Sequence, residues 1–406
     1  MSKKNYYLCV TPFFPSPNDW RGSYVYDQVK AIQRNSDYEV VVFKEGGKND
    51  SDYEIGGIKV YRYRIRALPS NILNGIFNDI NAKSFVKRVL SLGIHPKEIL
   101  FVHCHVSMRS ACGVALKRLN PKIKVILQHH DLDPFNLRSG VIGRYNRWNI
   151  RYRAQKAMDL YRQVDLHVCI SKACRDALLS FPNPREVEVY DAHRHSLSLC
   201  KGLDALSPRN TYVLYNGVDS SMFCVKLSNQ KNHDVFRIGC VANFIDSKDH
   251  ITLIKAFEIL HKENRTMRLS FLGSGETRKS CEDYLQEHGL MPYVEWNEEV
   301  CHNQLPEYYH TLDLFVLPSY YEGLGCVFLE AAACGIPFIG CLNQGYSEYV
   351  VEQAKWLIQP HDYKQLATII KQYVESPTKQ HFRFSFDIDV LIRDYLTFIN
   401  GIGNKD

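Results

Sequence analysis

The chain has 406 residues, of which 45% are hydrophobic and 23% are charged, an ordinary composition for a globular protein of two or three domains. It contains no apolar run of about 18 residues, so we expect no membrane-spanning helix. Residues 1–5 lack the pattern of a secretory signal. The 13 cysteines are scattered singly, without a Cys-x-x-Cys pair, which predicts free thiols in a reducing, cytoplasmic environment.

Charge is distributed unevenly along the chain. Residues 1–220 contain 33 basic against 20 acidic residues, a net charge of +13, whereas residues 221–406 contain 17 against 24, a net charge of −7. This asymmetry predicts two domains with different partners. The basic half carries no nucleic-acid-binding motif, so lipid headgroups or a phosphorylated acceptor are better candidate partners than DNA or RNA.

The first half alternates short apolar runs with helical patterns, which predicts a doubly wound parallel sheet. Its first strand, Tyr6 to Val10, ends in a proline-rich loop that reaches Gly22, and a helix follows from about Ser23 to Arg34. Ligands of open α/β sheets bind at the carboxyl ends of the strands, which is where this loop lies. The further predicted strands cover residues 38–43, 58–65, 99–105, 125–128, 166–170 and 212–215.

Four histidines, 103, 105, 129 and 130, fall at the ends of two of these strands, and Asp131-Leu132-Asp133 comes next. One interpretation is a metal site. No spacing among these residues follows a metal-ligand pattern, so we predict that the protein uses no metal.

Residues 143–158, GRYNRWNIRYRAQKAM, interleave arginines with aromatic residues. Arg144, Arg147 and Arg151 share one helical face. Such a helix can lie in a membrane interface and attract anionic lipid, or it can be a solvated helix that pairs with neighbouring acids. The sequence leaves both interpretations open.

The second half follows a polar segment, residues 220–235, which we interpret as a linker. The strand 236–241 leads to Asn243 and Lys248, and the next strand leads to a Gly-Ser-Gly turn that ends at Gly275. Lys248 stands near the start of a helix, so a point charge and a helix dipole can act together on a diphosphate.

The most informative stretch is residues 311–340, TLDLFVLPSYYEGLGCVFLEAAACGIPFIG. It predicts a strand, a glycine loop, a helix and a second strand, which together form one βαβ unit. The glycine loop permits close approach of a ligand, and the helix start suits an anionic or hydroxyl-rich group. Two carboxylates in this unit, Glu322 and Glu330, could hold hydroxyls, although each could also be an ordinary solvated glutamate. The predicted parts are the strand 314–317, the loop Gly323-Leu324-Gly325, the helix from about Cys326 to Cys334, and the strand 336–339.

This stretch resembles the nucleotide-sugar signature of the family 4 retaining glycosyltransferases, in which two glutamates separated by seven residues lie between a Pro-Ser turn and an Ala-rich helix. The resemblance implies an α/β protein of the GT-B fold, with two Rossmann-like, doubly wound parallel-sheet domains facing a deep cleft. It implies an acceptor-binding domain at 1–219, joined by a C-terminal helix at 386–406. The linker 220–235 then separates it from a nucleotide-sugar-binding domain at 236–385.

The resemblance also implies roles for single residues. Glu322 would orient the hydroxyls of the sugar, and His130, which matches the family's histidine, would lie over the sugar as a second catalytic residue. Lys248 would bind the diphosphate together with Asn243, which stands where the family usually has arginine. Glu330 would bind the ribose. The remaining donor-binding candidates are Gly323, Leu324, Gly325, Gly275 and Gly22.

The implied activity is that of a retaining, metal-independent hexosyltransferase that needs no cofactor. The donor would be a nucleotide-diphosphate sugar, with uridine favoured over guanosine, and the acceptor a saccharide or a lipid-linked saccharide of polysaccharide or glycoconjugate biosynthesis. The protein would act in the cytoplasm, including the inner face of the membrane. The alternatives are a UDP-sugar 2-epimerase or phosphorylase of the same fold, and a non-catalytic subunit that binds sugar nucleotides.

Overall fold

The computed structural model describes residues 4–16, 19–47, 50–69, 72–131, 147–181, 200–226 and 235–403. The chain divides into two compact units. The first consists of residues 1–216 and 388–406, and the second of residues 217–387.

Within its described residues, the first unit has an eight-stranded sheet in the order β3-β4-β2-β1-β5-β6-β7-β8. Every neighbouring pair is parallel except β3 and β4, which are antiparallel. The strand order reverses between β1 and β5, which is the topological switch point of this sheet. The strands are β1 Tyr6–Thr11, β2 Glu39–Gly46, β3 Tyr53–Ile55, β4 Ile58–Arg64, β5 Ile99–His105, β6 Lys124–His129, β7 Leu166–Cys169 and β8 Thr211–Val213.

Helices cover this sheet because their apolar faces are buried against it. The core joins β1 and β2 to the first and last helices of the unit through Tyr7, Val29, Val42 and Ile392, which are all buried. The helices are α1 Ser23–Arg34, α2 Asn78–Ser91, α3 Ser110–Leu119, α4 Arg147–Tyr161, α5 Lys172–Ser180 and, from the end of the chain, α12 Ile388–Gly403.

The second unit has a six-stranded sheet, counted over its described residues, in the order β11-β10-β9-β12-β13-β14. All its strand pairs are parallel, and the order reverses between β9 and β12. The strands are β9 Phe236–Val241, β10 Met267–Leu272, β11 Val294–Asn297, β12 Leu314–Val316, β13 Phe338–Cys341 and β14 Leu357–Ile358. The helices are α6 His250–Glu263, α7 Arg278–Glu287, α8 Leu305–His310, α9 Cys326–Ala333, α10 Gln353–Trp356 and α11 Tyr363–Glu375.

Both units are doubly wound α/β structures whose sheets are parallel apart from the β3–β4 pair, which confirms the predicted fold class. The described helices include none that is long and apolar enough to cross a membrane.

Candidate functional site

The second unit brings two predicted site residues together at its switch point. Strands β9 and β12 pair in parallel, with Leu314 opposite Ile238, so the loops at their carboxyl ends are neighbours. Lys248 ends the short 3-10 turn that follows β9, and Glu322 lies in the loop that follows β12. Lys248 Nζ donates a hydrogen bond to Glu322 Oε1. The two side chains are 22% and 10% exposed, so the ion pair is largely shielded from water yet still reachable.

The backbone of Glu322 is fixed by the loop after β13. Its N–H donates a 2.7 Å hydrogen bond to Oε1 of Gln344, a buried side chain. The N–H of Gly345 lies 3.4 Å from the carbonyl oxygen of Glu322 and donates to it. These contacts hold the carboxylate in place through the main chain, so its side chain can serve a ligand.

Gly323, Leu324 and Gly325 connect Glu322 to helix α9. Leu324 is buried, so only its backbone can meet a ligand. Gly325 has a φ of 80°, and a Cβ at this position would lie 2.8 Å from the ring of Phe328. Only glycine fits this turn, which begins α9, and the partial positive charge at the start of the helix suits an anion.

Glu330 projects from α9 into a small buried network. Tyr309 donates a 2.8 Å hydrogen bond from its hydroxyl to Oε2, and Nε2 of His302 lies 3.7 Å from Oε1. Burial, and then the neighbouring carboxylate, raise the pKa of Tyr309, so its hydroxyl keeps the proton that it donates. Glu330 is therefore a fixed acceptor whose Oε1 can take a further hydrogen bond.

The loops after β9 and β10 pack together. The N–H of Phe244 donates a 2.8 Å hydrogen bond to the carbonyl oxygen of Ser274. Gly275 has a φ of 149°, and a Cβ there would come within 2.4 Å of the carbonyl oxygen of Phe244. Asn243 is exposed beside this contact. The structure thus brings the predicted residues Asn243 and Gly275 to the same edge of the sheet.

In the first unit, His130 follows β6 and stacks on His105 of the neighbouring strand. The ring planes differ by 13°, and His130 Nε2 lies 2.8 Å from His105 Nδ1. Burial lowers the pKa of His130 to about 4, so the ring is neutral near pH 7. The ring of Tyr24, two residues after Gly22, lies 5.2 Å from that of His130. Gly22 and His130 therefore lie at the same end of the first sheet.

A polar cavity of about 240 Å³ opens near the ends of β2 and β4 in the first unit. Arg109 Nε donates a hydrogen bond to Glu45 Oε1 in its wall. Its other polar lining residues are Arg66, Asn74, Asn78 and Asn81. Amide and guanidinium groups of this kind suit a hydroxyl-rich or anionic ligand.

Two family models match the chain in succession. Residues 22–190 match Glycosyltransferase Family 4, and residues 226–385 match Glycosyl transferases group 1. The chain is a glycosyltransferase of the family 4 type.

Two relatives place this glycosyltransferase among known sequences. An uncharacterised glycosyltransferase of Methanocaldococcus jannaschii is 26% identical over 336 residues, which cover 79% of this chain and 76% of the relative. The capsular polysaccharide biosynthesis glycosyltransferase CapM of Staphylococcus aureus is 29% identical over 149 residues, which cover 35% of this chain and 37% of CapM.

Solved structures share the fold of this glycosyltransferase. Sucrose-phosphate synthase of Thermosynechococcus elongatus matches with a TM-score of 0.68 and 17% identity, over 98% of this chain and 96% of that one. HepE of Anabaena, crystallised in complex with UDP-glucose, matches with a TM-score of 0.65 and 16% identity, over 97% of this chain and 99% of that one. The fold is that of the GT-B glycosyltransferases.

Several buried histidines among the described residues of the first unit contact one another. His129 Nε2 lies 3.1 Å from His167 Nδ1, and His103 stacks on His105 at 4.6 Å between ring centroids. In the part of the glycosyltransferase that the structure describes, no group of three or more His, Cys, Asp or Glu is arranged to hold a metal ion. Asp133 lies outside the described residues.

The basic aromatic segment is only partly described. Residues 143–146, with Arg144, lie outside the described residues, and α4 begins at Arg147. Trp148 is 63% exposed and stacks on Tyr152. Arg151 donates a 2.6 Å hydrogen bond to the carbonyl oxygen of Lys201.

Sequence reasoning missed the residues that support the predicted ones. Gln344 and Tyr309 contact the two glutamates, and Asp249 and His361 contact each other at 2.7 Å beside Lys248. Nothing in their local sequence marks them, because each acts on a partner that is distant in the chain.

Proposed function

We propose that this glycosyltransferase is a retaining, metal-independent enzyme that moves a sugar from a UDP-sugar to a saccharide or lipid-linked saccharide in polysaccharide or glycoconjugate biosynthesis. The observation that carries the proposal is the shielded Lys248–Glu322 pair at the switch point of the second sheet. A cation for the diphosphate and a carboxylate for the sugar hydroxyls are thereby held side by side.

The donor would bind along the carboxyl edge of the second sheet. The ammonium group of Lys248 has three donors, so it can serve Glu322 and a phosphate oxygen together. The start of α9, reached through Gly325, adds the partial positive charge of the helix dipole. Asn243 can donate a hydrogen bond to the same phosphates without adding charge. Glu330, fixed by Tyr309, would accept hydrogen bonds from the ribose hydroxyls.

In the transfer step, the bond between the anomeric carbon and the phosphate oxygen breaks, and its electron pair stays with the diphosphate. The acceptor hydroxyl attacks the anomeric carbon on the same face, and its proton passes to the leaving phosphate oxygen. Lys248 stabilises the negative charge that develops there. Glu322 orients the sugar hydroxyls while the ring becomes oxocarbenium-like. His130, neutral because its pKa is about 4, would hydrogen-bond a hydroxyl of the transferred sugar.

The acceptor would bind in the first unit. The polar cavity near β2 and β4 supports this, because its asparagines and Arg66 can hydrogen-bond sugar hydroxyls and anionic groups. The net charge of +13 in residues 1–220 favours an acceptor with a negative charge, such as a phosphate of a lipid carrier. A uridine donor is supported by HepE, whose structures contain UDP and UDP-glucose.

Contact with the cytoplasmic face of a membrane is proposed for α4. The exposed Trp148 is the described residue that supports it, because tryptophan favours the interface between water and lipid. Sedimentation with anionic vesicles should carry the wild-type chain down, and Trp148→Ser should reduce the bound fraction. A wild-type chain that stays in the supernatant would contradict this part of the proposal.

The central experiment is a thermal-shift panel of UDP-glucose, UDP-N-acetylglucosamine, UDP-galactose and GDP-mannose with the purified chain. We expect stabilisation by at least one UDP-sugar, followed by transfer of that sugar to a saccharide acceptor with retention at the anomeric carbon. Conversion of the donor without any acceptor would instead favour an epimerase. Binding without hydrolysis or transfer would favour a non-catalytic subunit.

A further inference from the structure

The turn that carries Lys248 is tied down at both ends by side chains from other loops. At its start, the hydroxyl of Tyr320 donates a hydrogen bond to Asp246 Oδ2. The N–H of Tyr320 also donates to the carbonyl oxygen of Ser247 at 3.1 Å. At its end, Asp249 Oδ2 lies 2.7 Å from His361 Nδ1.

The two ties meet each other. The rings of Tyr320 and His361 lie 4.7 Å apart between centroids. The contacts therefore close a ring that runs from Asp246 to Tyr320, on to His361, and back to Asp249. Lys248 stands inside the segment that this ring holds, and Tyr320 lies two residues before Glu322.

Asp249 and His361 both adopt a backbone conformation that favours glycine. Their φ angles are 49° and 66°, in the left-handed region. This conformation costs a non-glycine residue free energy. Glycine would avoid that cost at both positions but would lose the hydrogen bond between the side chains. The backbone strain at Asp249 and His361 therefore accompanies the hydrogen bond between their side chains.

The two residues of the pair differ sharply in exposure. The side chain of Asp249 is 5% exposed and accepts a second hydrogen bond, 2.8 Å long, from Oγ1 of Thr252. The side chain of His361 is 62% exposed. A buried carboxylate that accepts two hydrogen bonds has little freedom to move, so it fixes the imidazole and the turn relative to each other.

We propose that His361 is a positioning residue for Lys248. Through Asp249 and Tyr320 it holds the turn so that the ammonium group meets the diphosphate of the donor without further rearrangement. The inference rests on the proposed function, since it takes the ligand of Lys248 to be a nucleotide-diphosphate sugar.

His361→Gly separates this role from a merely structural one. Glycine relieves the backbone strain, so the melting temperature should stay the same or rise. The affinity for UDP, measured by calorimetry on the full chain, should nevertheless fall about tenfold because Lys248 is no longer preorganised. In the transfer assay, KM for the donor should rise more than kcat falls.

Two further variants complete the test. His361→Asn tolerates the left-handed conformation and can still donate to Asp249, so it should recover most of the UDP affinity. His381→Asn is the matched control, because His381 is 61% exposed and also faces a carboxylate, Glu352, at 4.0 Å. Its UDP affinity should equal that of the wild type.

Unchanged UDP affinity in His361→Gly would overturn the positioning role, whatever the melting temperature does. If affinity and melting temperature both fall, His361→Asn decides: recovered affinity supports the role and unrecovered affinity overturns it. Absence of UDP binding by the wild-type chain would overturn the donor proposal, and the role of His361 with it. The two failures are therefore distinguishable.

Discussion

Lys248 and Glu322, 74 residues apart in the chain, are joined by a hydrogen bond from the ammonium group to the carboxylate. The parallel pairing of β9 with β12 makes this contact possible, since it brings their carboxyl ends together. Each side chain thereby holds the other in one position. The proposed donor site is therefore assembled by the sheet before any ligand arrives.

Lys248→Ala should lower the affinity for UDP about a hundredfold. The variant loses the charged contact to the diphosphate and leaves the shielded carboxylate of Glu322 without its cation. Calorimetry with UDP gives the measurement. Lys262→Ala is the matched control, because Lys262 also pairs with a glutamate, Glu258, at 2.8 Å, but is 70% exposed. An equal effect of the two variants would contradict the assignment of Lys248.

Glu322→Gln should reduce kcat by about a hundredfold or more while UDP affinity changes little. Glutamine keeps the shape of the side chain and its backbone contacts to Gln344, but it lacks the charge that we propose acts on the sugar. Single-turnover transfer, measured beside UDP calorimetry, separates the two effects. Transfer at the wild-type rate would remove Glu322 from the catalytic centre.

Tyr309→Phe should weaken UDP binding by roughly 1 kcal/mol, since Glu330 loses the hydrogen bond that fixes it. The adjacent Tyr308 supplies the control, because its hydroxyl donates a 2.9 Å hydrogen bond to the carbonyl oxygen of Ser270 instead. Tyr308→Phe should lower the melting temperature similarly and leave UDP affinity unchanged. If both variants bind UDP as the wild type does, Glu330 has no ribose-binding role.

Transfer should survive an excess of EDTA, because Lys248 and the start of α9 supply the positive charge that the diphosphate needs. The measurement is initial velocity with and without the chelator, after prior dialysis against it. Activity that is lost with EDTA and restored by Mn²⁺ would bring back the metal interpretation of Asp131 and Asp133.

The local parts of this site were predictable from sequence. The pattern at 311–340 predicted a helix from about Cys326 to Cys334, and α9 covers Cys326–Ala333. The helix expected at 23–34 and the strands at 99–105 and 236–241 also match the structure. Each of these elements is long enough, or flanked by clear enough turn residues, for its pattern to decide.

Contacts between distant segments were not predictable. Asp249 and His361 are 112 residues apart, and their left-handed backbone leaves no mark in a sequence without glycine at either position. The strands β3 and β14 were missed because they have only three and two residues, too few to show an alternation of apolar and polar residues. The partners of Glu322 and Glu330 likewise depend on how loops meet above the sheet.

The buried histidines of the first unit should make its stability depend on pH. Burial lowers the pKa of His103 to about 3 and that of His105 well below its usual range. Both rings therefore stay neutral in the folded chain at a pH where an unfolded chain, with a histidine pKa of about 6.5, takes up protons. The free energy of unfolding is thus unaffected above about pH 6.5 and falls as the pH drops from there towards 4.

We expect each of these two histidines to contribute a loss of roughly 1 kcal/mol by about pH 5.5. His103→Gln removes the titrating group and offers Tyr7, whose hydroxyl lies 2.6 Å from His103 Nδ1, an amide partner instead. Its melting temperature should fall less steeply between about pH 7 and 5.5 than that of the wild type. His288→Asn, which replaces an exposed histidine, should keep the wild-type slope. Equal slopes for all three proteins would contradict a lowered pKa of His103 in the folded chain.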